Sequence, residues 1–201
     1  MKLTILGASG HGKVVAEIAT LCGYDQIEFL DDNEALTCCG HWPVVGKCSL
    51  AAEKDSDLFV AIGNNGIRKL YMQTIPDERL VTLVHPAAFV SKDAGLGPGT
   101  VVMAGSVVEP YARIGKGCII NTCSSADHDC RVGDYVHVAV GAHLGGTVYV
   151  GDDTWIGAGA VVSNNVSVCG GCTIGAGAVV VRDIDTPGTY VGVPAKRLKE
   201  R

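Results

Sequence analysis

Val132-Gly133-Asp134-Tyr135-Val136-His137-Val138-Ala139-Val140-Gly141-Ala142-His143-Leu144-Gly145-Gly146-Thr147-Val148-Tyr149-Val150 carries the rhythm that decides the fold of this 201-residue chain. Val132, Val138, Leu144 and Val150 stand six residues apart. The same phase runs back through Ala126, Ile120, Ile114, Val108, Val102 and Leu96 to Val90, and forward through Ile156, Val162, Val168 and Ile174 to Val180. Of these sixteen positions only Ala126 is not Val, Ile or Leu. Four residues after each from Leu96 to Ile174 comes a small or β-branched residue, from Thr100 and Ser106 through Cys118 and Cys130 to Ala178. Glycine often follows the aliphatic position directly, as at Gly97, Gly115, Gly133 and Gly151. One large and one small residue per hexad predicts a short strand plus a turn, with both side chains turned inward. Three hexads close a triangular coil of about 18 residues, and stacked coils bury a core that no single repeat could bury. Stacking proceeds at the strand spacing of about 4.8 Å. About five coils are expected between Val90 and Val180.

Composition agrees with a compact chain of many similar turns. Hydrophobic residues make up 47%, charged residues 18% and aromatic residues 5%, with 27 glycines. Such a chain is not disordered. A formal net charge of -5, with no basic block before the last few residues, argues against nucleic acid as a partner. No apolar run approaches the roughly 20 residues of a membrane span, and Met1-Lys2 opens no secretory leader, so a cytoplasmic location is expected. Nine cysteines are then not expected to form a disulfide framework. Cys169-Gly170-Gly171-Cys172 has a metal-ligand spacing but no second pair, so no metal site is expected. Cys118, Cys130 and Cys172 fall in the small inward slot and read as core filler.

The first half alternates strand and helix. Leu3–Leu6, Ile27–Leu30, Leu58–Ile62 and Leu80–Val84 read as strands; Lys13–Leu21 and Ile67–Ile75 show helical spacing. Alternation predicts a parallel sheet with covering helices, a Rossmann-like domain. Ligands bind such sheets at the strand carboxyl ends. Three stretches fall there: Gly7-Ala8-Ser9-Gly10-His11-Gly12, Asp31-Asp32 and Gly63-Asn64. Glycine admits close backbone approach and a helix N-terminus welcomes phosphate, while the acidic pair can accept from ribose, sugar or base donors. The glycines stand at 7, 10 and 12; a dinucleotide fingerprint would place them at 7, 9 and 12, which weakens an NAD reading. The domains are expected at 1–85 and 86–201. Residues 33–55 match no motif.

The repeat resembles the left-handed parallel β-helix of the hexapeptide acyltransferases; the hand comes from the resemblance, since ordinary crossovers are right-handed. Val191-Gly192-Val193-Pro194-Ala195-Lys196-Arg197 is similar to the G-x-P-A-[KR] segment that follows this helix. Joined to the motifs of the first half, it resembles the sugar O-acyltransferase, sialic-acid-acetyltransferase-like family, nearest to bacterial UDP-4-amino-sugar N-acetyltransferases of the UDP-N,N'-diacetylbacillosamine type. That resemblance covers almost the whole chain. It implies acetyl-CoA as co-substrate, a UDP-linked amino sugar as acceptor and a homotrimer with the thioester between neighbouring β-helices. It also implies substrate contacts at Ser9, Gly10, His11, Asp31, Asp32 and Gly63.

Acyl transfer needs a base, an oxyanion donor and two aligned substrates. Of six histidines, His41 and His85 sit in connecting segments and read as structural. His128 stands in Asn121-Thr122-Cys123-Ser124-Ser125-Ala126-Asp127-His128-Asp129, which resembles the family's catalytic N-T-x-S-x-x-E-H-[ED] segment. Its hexad opens with Ala126, the one break in the aliphatic series, and functional sites break local rules. The residues alone leave Asp127 and Asp129 as alternative partners for the imidazole; the motif favours Asp129. Gly146 stands one coil beyond His128, stacks on it and is the expected oxyanion donor. Asn121 is expected to orient the amine or the thioester. His137, Ala158 and Ala176 match family positions that contact acetyl-CoA. A covalent acetyl-cysteine route through Cys123 or Cys130 ranks low, because Cys130 points inward and Cys123 has no evident base. The rivals are sugar O-acetylation, GDP- or dTDP-linked acceptors, and a non-catalytic nucleotide-sugar sensor in which a histidine–aspartate pair would have no purpose.

Overall fold

The computed structural model describes residues 1–198. The first half contains Lys2–Leu6 (β1), Gly10–Leu21 (α1), Gln26–Leu30 (β2), the hairpin Cys38–Cys39 (β3) and Trp42–Pro43 (β4), Asp57–Val60 (β5) and Asn65–Met72 (α2). β2, β1 and β5 form a parallel sheet in that order, with Ile5 opposite both Phe29 and Phe59. α1 starts three residues earlier than its apolar spacing predicts, because Gly10, His11 and Gly12 wind as its first turn. A Cβ on Gly12 would lie 2.3 Å from the Gly7 carbonyl, so this loop closes only with glycine there. Residues 33–55 form the hairpin and a 3₁₀ helix, Cys48–Glu53.

The second half is a left-handed parallel β-helix of about six turns. Up to Val180 its three faces are parallel ladders of short strands in which each residue pairs with the one 18 positions on; at the C-terminal end Cys172–Ile174 pairs instead with Gly188–Val191, 16 positions on, and Lys196–Arg197 adds an antiparallel strand. The first face climbs through Val101–Val102, Ile119–Ile120, His137–Val138 and Trp155–Ile156; the second through Val107–Val108, Ser125–Ala126 and His143–Leu144; the third through Arg113–Ile114 and Arg131–Val132. The aliphatic and small slots are buried in one continuous core, Cys118, Cys130 and Cys172 among them. The coil begins one hexad earlier than read from sequence. Leu83–Val84 pairs with Val101–Val102 on the first face, while Leu80 alone bridges to Leu58 of the N-terminal sheet. The mostly apolar segment Leu80–Val84 serves both domains, and its hydrophobicity could not say where one stopped.

Each coil turns a corner every six residues with one residue in the left-handed region. Those residues run in unbroken steps of six from Gly99 to Gly177, and include Tyr111, Cys123, Asp129, Tyr135, Thr147, Asp153 and Asn165. Where the turn closes, the N–H three residues after its first residue donates back to that residue's carbonyl, as Cys130 does to Asp127 (3.3 Å). This is the type II arrangement, which requires a positive φ at its third residue. The glycines that directly follow the aliphatic residues serve another need. A Cβ on Gly97 would lie 2.5 Å from the Gly115 backbone, and one on Gly115 2.6 Å from that of Gly133. They allow successive coils to touch; the turn geometry falls two residues later.

The domains share a core. Leu83, Val101, Met103 and Ile119 pack with Leu3, Ile5, Val15 and Ile18, so α1 lies across the outer side of the first face. Along that face the outward column reads Val101, Ile119, His137, Trp155. It changes from aliphatic to polar and aromatic side chains after the residues that share the N-terminal core.

Candidate active site

His128 and Asp129 occupy the two central positions of the turn between the second and third faces. His128 Nδ1 donates to Asp129 Oδ2 at 2.8 Å. Asp127 is engaged otherwise, accepting the His128 backbone N–H at 2.7 Å. The geometry therefore selects Asp129 from the two alternatives. Its left-handed backbone (φ 59°) sits beside the imidazole. Asp129 raises the pKa of His128 above its ordinary value, chiefly through that hydrogen bond. With Nδ1 occupied, Nε2 is the free nitrogen. It lies against Gly146, where a Cβ would be 2.5 Å away. Gly146 is buried, and its N–H donates to no acceptor among the described residues. The coil stacking expected from the 18-residue step is thus present. Thr147 N–H donates to the His128 carbonyl at 2.9 Å.

Of the N-terminal candidates, Ser9, Asp31, Asp32 and Gly63 gather at the carboxyl ends of β1, β2 and β5, around a cavity of about 240 Å³ lined also by Gly7 and Tyr71; Gly10 and His11, in the first turn of α1, do not line it. Asp31 accepts the Ala8 N–H at 2.7 Å; Asp32 accepts the Cys48 N–H and the Tyr71 hydroxyl. Both carboxylates thus brace the loops and keep lone pairs for a ligand. Tyr71, absent from the sequence reading, holds Asp32 below the usual carboxylate range. Ser9 precedes α1 without capping it, and the first turn holds no acidic residue. Its N–H groups suit an anion. Gly7 and Gly12 are required by packing, but a Cβ on Gly10 or Gly63 would meet nothing within 4 Å. Those two glycines leave open space at the mouth.

His137 lies at the edge of the N-terminal domain, its ring 4.3 Å from that of Trp155. Asn121 Nδ2 donates to its Nε2 at 3.0 Å, which leaves the proton on Nδ1. The Gly63 carbonyl approaches Nδ1 without reaching hydrogen-bond geometry. Burial first, then Arg68 and His11, push His137 down to about 3. Burial and Arg68 push His11 down to about 4, and its Nε2 is buried without a partner. Both rings are neutral near pH 7. Ala158 and Ala176 are exposed on stacked turns between the first and second faces, in line with Thr122. An apolar cleft of about 540 Å³, edged by Trp42, His85 and Met103, leads down to Thr122.

The candidates thus fall on two corners of the triangular coil. His128, Asp129 and Gly146 share the corner after the second face. Asn121, Ala158 and Ala176 share the corner before it, next to His137 and His11. Within one chain the second face stands between them. Arg68, also missed in the sequence reading, is 1% exposed. A charged residue four positions before buried Met72, on the inward side of α2, was its only signal. Cys169 and Cys172 are free thiols 3.5 Å apart, and among the described residues no group of three or more His, Cys, Asp or Glu could hold a metal.

A hexapeptide β-helix presenting a carboxylate-paired histidine at one corner, joined to a parallel-sheet domain with a glycine-lined pocket, defines a hexapeptide-repeat acyltransferase. Residues 2–75 match the PglD N-terminal domain family and residues 147–182 the bacterial transferase hexapeptide (six repeats) family. The chain is 36% identical over 110 residues to UDP-N-acetylbacillosamine N-acetyltransferase of Bacillus subtilis (strain 168), a match spanning 51% of this chain and 51% of that curated relative, about half its length. The acetyltransferase domain of PglB from Neisseria gonorrhoeae FA1090, solved in complex with acetyl coenzyme A, superposes with a TM-score of 0.94 at 42% identity, covering 98% of each chain. A mutant of perosamine N-acetyltransferase from Caulobacter crescentus, in complex with CoA and GDP-perosamine, superposes at 0.93 with 37% identity, covering 100% of this chain and 98% of that one. The chain belongs to the family of bacterial hexapeptide acetyltransferases with a PglD-type N-terminal domain.

Proposed function

We propose that the chain transfers the acetyl group of acetyl-CoA to the 4-amino group of a UDP-linked amino-dideoxy sugar. The observation that carries this reading is the His128–Asp129 pair with Nε2 free and aimed past Gly146. His128 Nε2 takes a proton from the sugar amine as nitrogen attacks the thioester carbonyl carbon. A C–N bond forms, and the carbonyl pair moves to oxygen, where the Gly146 N–H donates to it. The intermediate collapses, the C–S bond breaks, and the thiolate takes the proton from His128. The products are the amide and CoA thiol. Asp129 holds Nδ1–H and raises the basicity of the ring.

Ser9, Gly10, His11, Asp31, Asp32 and Gly63 hold the nucleotide sugar; His137, Ala158 and Ala176, with Gly146, face the CoA arm, and Asn121, hydrogen-bonded to His137, orients the amine or the thioester. Because His128 and His137 stand on different corners of one coil, the working site is assembled between chains, which supports a homotrimer. Acetyl-CoA and nucleotide-linked sugars are cytoplasmic compounds, which supports a cytoplasmic location.

A second reading concerns the nucleotide. The full-length likeness to a protein solved with GDP-perosamine favours a GDP-linked acceptor as much as the half-length likeness favours UDP. Thiol release from acetyl-CoA against a panel of UDP-, GDP- and dTDP-linked amino sugars decides between them. Release with none of these, but with a free sugar hydroxyl, would replace N- by O-acetylation.

A further inference from the structure

Arg68 joins the two domains through every donor it has. Nε donates to the Gly117 carbonyl at 2.7 Å; Nη1 donates to Ile62 at 2.9 Å and to Gly63 at 3.0 Å; Nη2 donates to Asn65 Oδ1 at 3.0 Å and to the Tyr135 carbonyl at 2.9 Å. A guanidinium has five N–H bonds, and all five are used. Three acceptors belong to the loop and helix after β5. The other two, Gly117 and Tyr135, are the left-handed residues of two stacked corners of the β-helix. Tyr135 lies two residues before His137. The Gly63 carbonyl thus faces both the guanidinium and the His137 ring. Neighbouring contacts run the same way: Asn65 Nδ2 donates to the Thr154 carbonyl at 3.2 Å, and Lys69 pairs with Asp153 at 2.6 Å.

Burying a guanidinium is costly, and a joint between two domains needs only apolar packing, which this chain already has around Val101 and Ile119. The charged joint stands where a nucleotide-facing loop meets the coil that carries His137. We propose that Arg68 is a positioning residue: it sets the spacing between the Ile62–Gly63 loop and the His137 coil, and through it the alignment of sugar and acyl donor. This rests on the acetyl-transfer reading above. The ionisable groups around His137 are Arg68 from α2 and His11 from α1; around Arg68 they are Asp153, Tyr135 and Cys118 from the β-helix.

The test is Arg68→Lys, which keeps the charge but not the five-way geometry. Steady-state kinetics should show kcat lower by roughly tenfold or more and KM for the nucleotide sugar raised, with KM for acetyl-CoA nearly unchanged. Arg68→Gln adds a readout free of substrate: NMR titration of the His137 and His11 ring carbons should show both midpoints rising toward the ordinary range. Asn65→Ala, which loosens one anchor and leaves Arg68 in place, should shift the same parameters in the same direction by less, and serves if neither Arg68 variant folds. Wild-type kinetics with a lowered melting point would reduce Arg68 to structural glue. Wild-type protein inert toward every nucleotide amino sugar, with the NMR shifts as expected, would instead overturn the acetyl-transfer reading and leave the joint standing.

Discussion

At the scale of single residues, the chemistry turns on one nitrogen. His128→Ala should cost about a thousandfold or more in kcat while the chain keeps its mass and circular dichroism; near-normal turnover would remove His128 from the mechanism. The Asp129 hydrogen bond raises the imidazole pKa, so the rising limb of the kcat–pH profile lies above the ordinary histidine value. Asp129→Asn removes the anion, lowers that pKa and should move the limb to more acidic pH with a lower plateau. A limb that stays in place would mean another group is titrating. Gly146→Ala separates space from backbone strain, because Gly146 does not have a positive φ and only the contact with Nε2 forbids a methyl group. It should cost about a hundredfold in kcat with little change in thermal stability. Much of this corner was legible in the sequence: Ala126 broke the aliphatic series and the 18-residue step led from His128 to Gly146. The choice of Asp129 over Asp127 was not legible from the residues alone, because it depends on a left-handed backbone turning one carboxylate toward Nδ1 and the other toward a main-chain N–H.

At the scale of elements, the period of six was read correctly, but glycine's part in it only partly. Glycines after the aliphatic residues drew attention by their number, and they serve the touching of coils. The conformation that glycine tolerates best falls two positions later, where Tyr, Asp, Thr, Cys and Asn occupy half the corners. Periodicity of side-chain size does not report φ. Thr147 is the most strained of these, since a β-branched residue in the left-handed region is an outlier. It is exposed, and it supports the corner of His128 and Gly146. Thr147→Asn should raise unfolding free energy by about 1 kcal/mol in urea titrations; an unchanged midpoint would mean the strain is absorbed elsewhere. The start of α1 and the split of Leu80–Val84 were missed for a common reason. Both are set by contacts between distant segments, Gly12 on Gly7 and Leu83 on Val101, that local apolar spacing does not carry.

At the scale of the whole molecule, two predictions follow from where the histidines lie. His11 and His137 are neutral in the folded chain down to about 4 and about 3, while the unfolded chain protonates them near 6.5. Below pH 6.5 the unfolded state binds more protons, so this contribution is complete above that pH and is lost as pH falls from 6.5 toward about 4 for His11 and about 3 for His137. Glu28 and Asp32, whose pKa values are lowered, add to the fall only in the most acid part of that range. Melting points measured across it should fall, and His137→Gln should flatten the fall; parallel slopes would assign the acid sensitivity elsewhere. The separation of corners makes the second prediction. Mixed oligomers of His128→Ala and His11→Ala chains, each inactive alone, should regain roughly a quarter of wild-type activity if each site draws one residue from each of two copies. No recovery on mixing would mean that a single chain completes the site.

The unbroken march of left-handed corners also constrains how this chain can change length. One inserted residue anywhere along the coil would hand the left-handed turn, the inward slot and the coil-to-coil contact to the wrong side chains at every later step, to the end of the stack. Insertions must therefore bulge out at a corner or arrive as whole eighteen-residue rungs, and the height from His128 to the last left-handed corner at Gly177 can be altered only in increments of about 4.8 Å. The scaffold works as a ratchet for distance: lineages that lengthen or shorten it must do so by complete rungs.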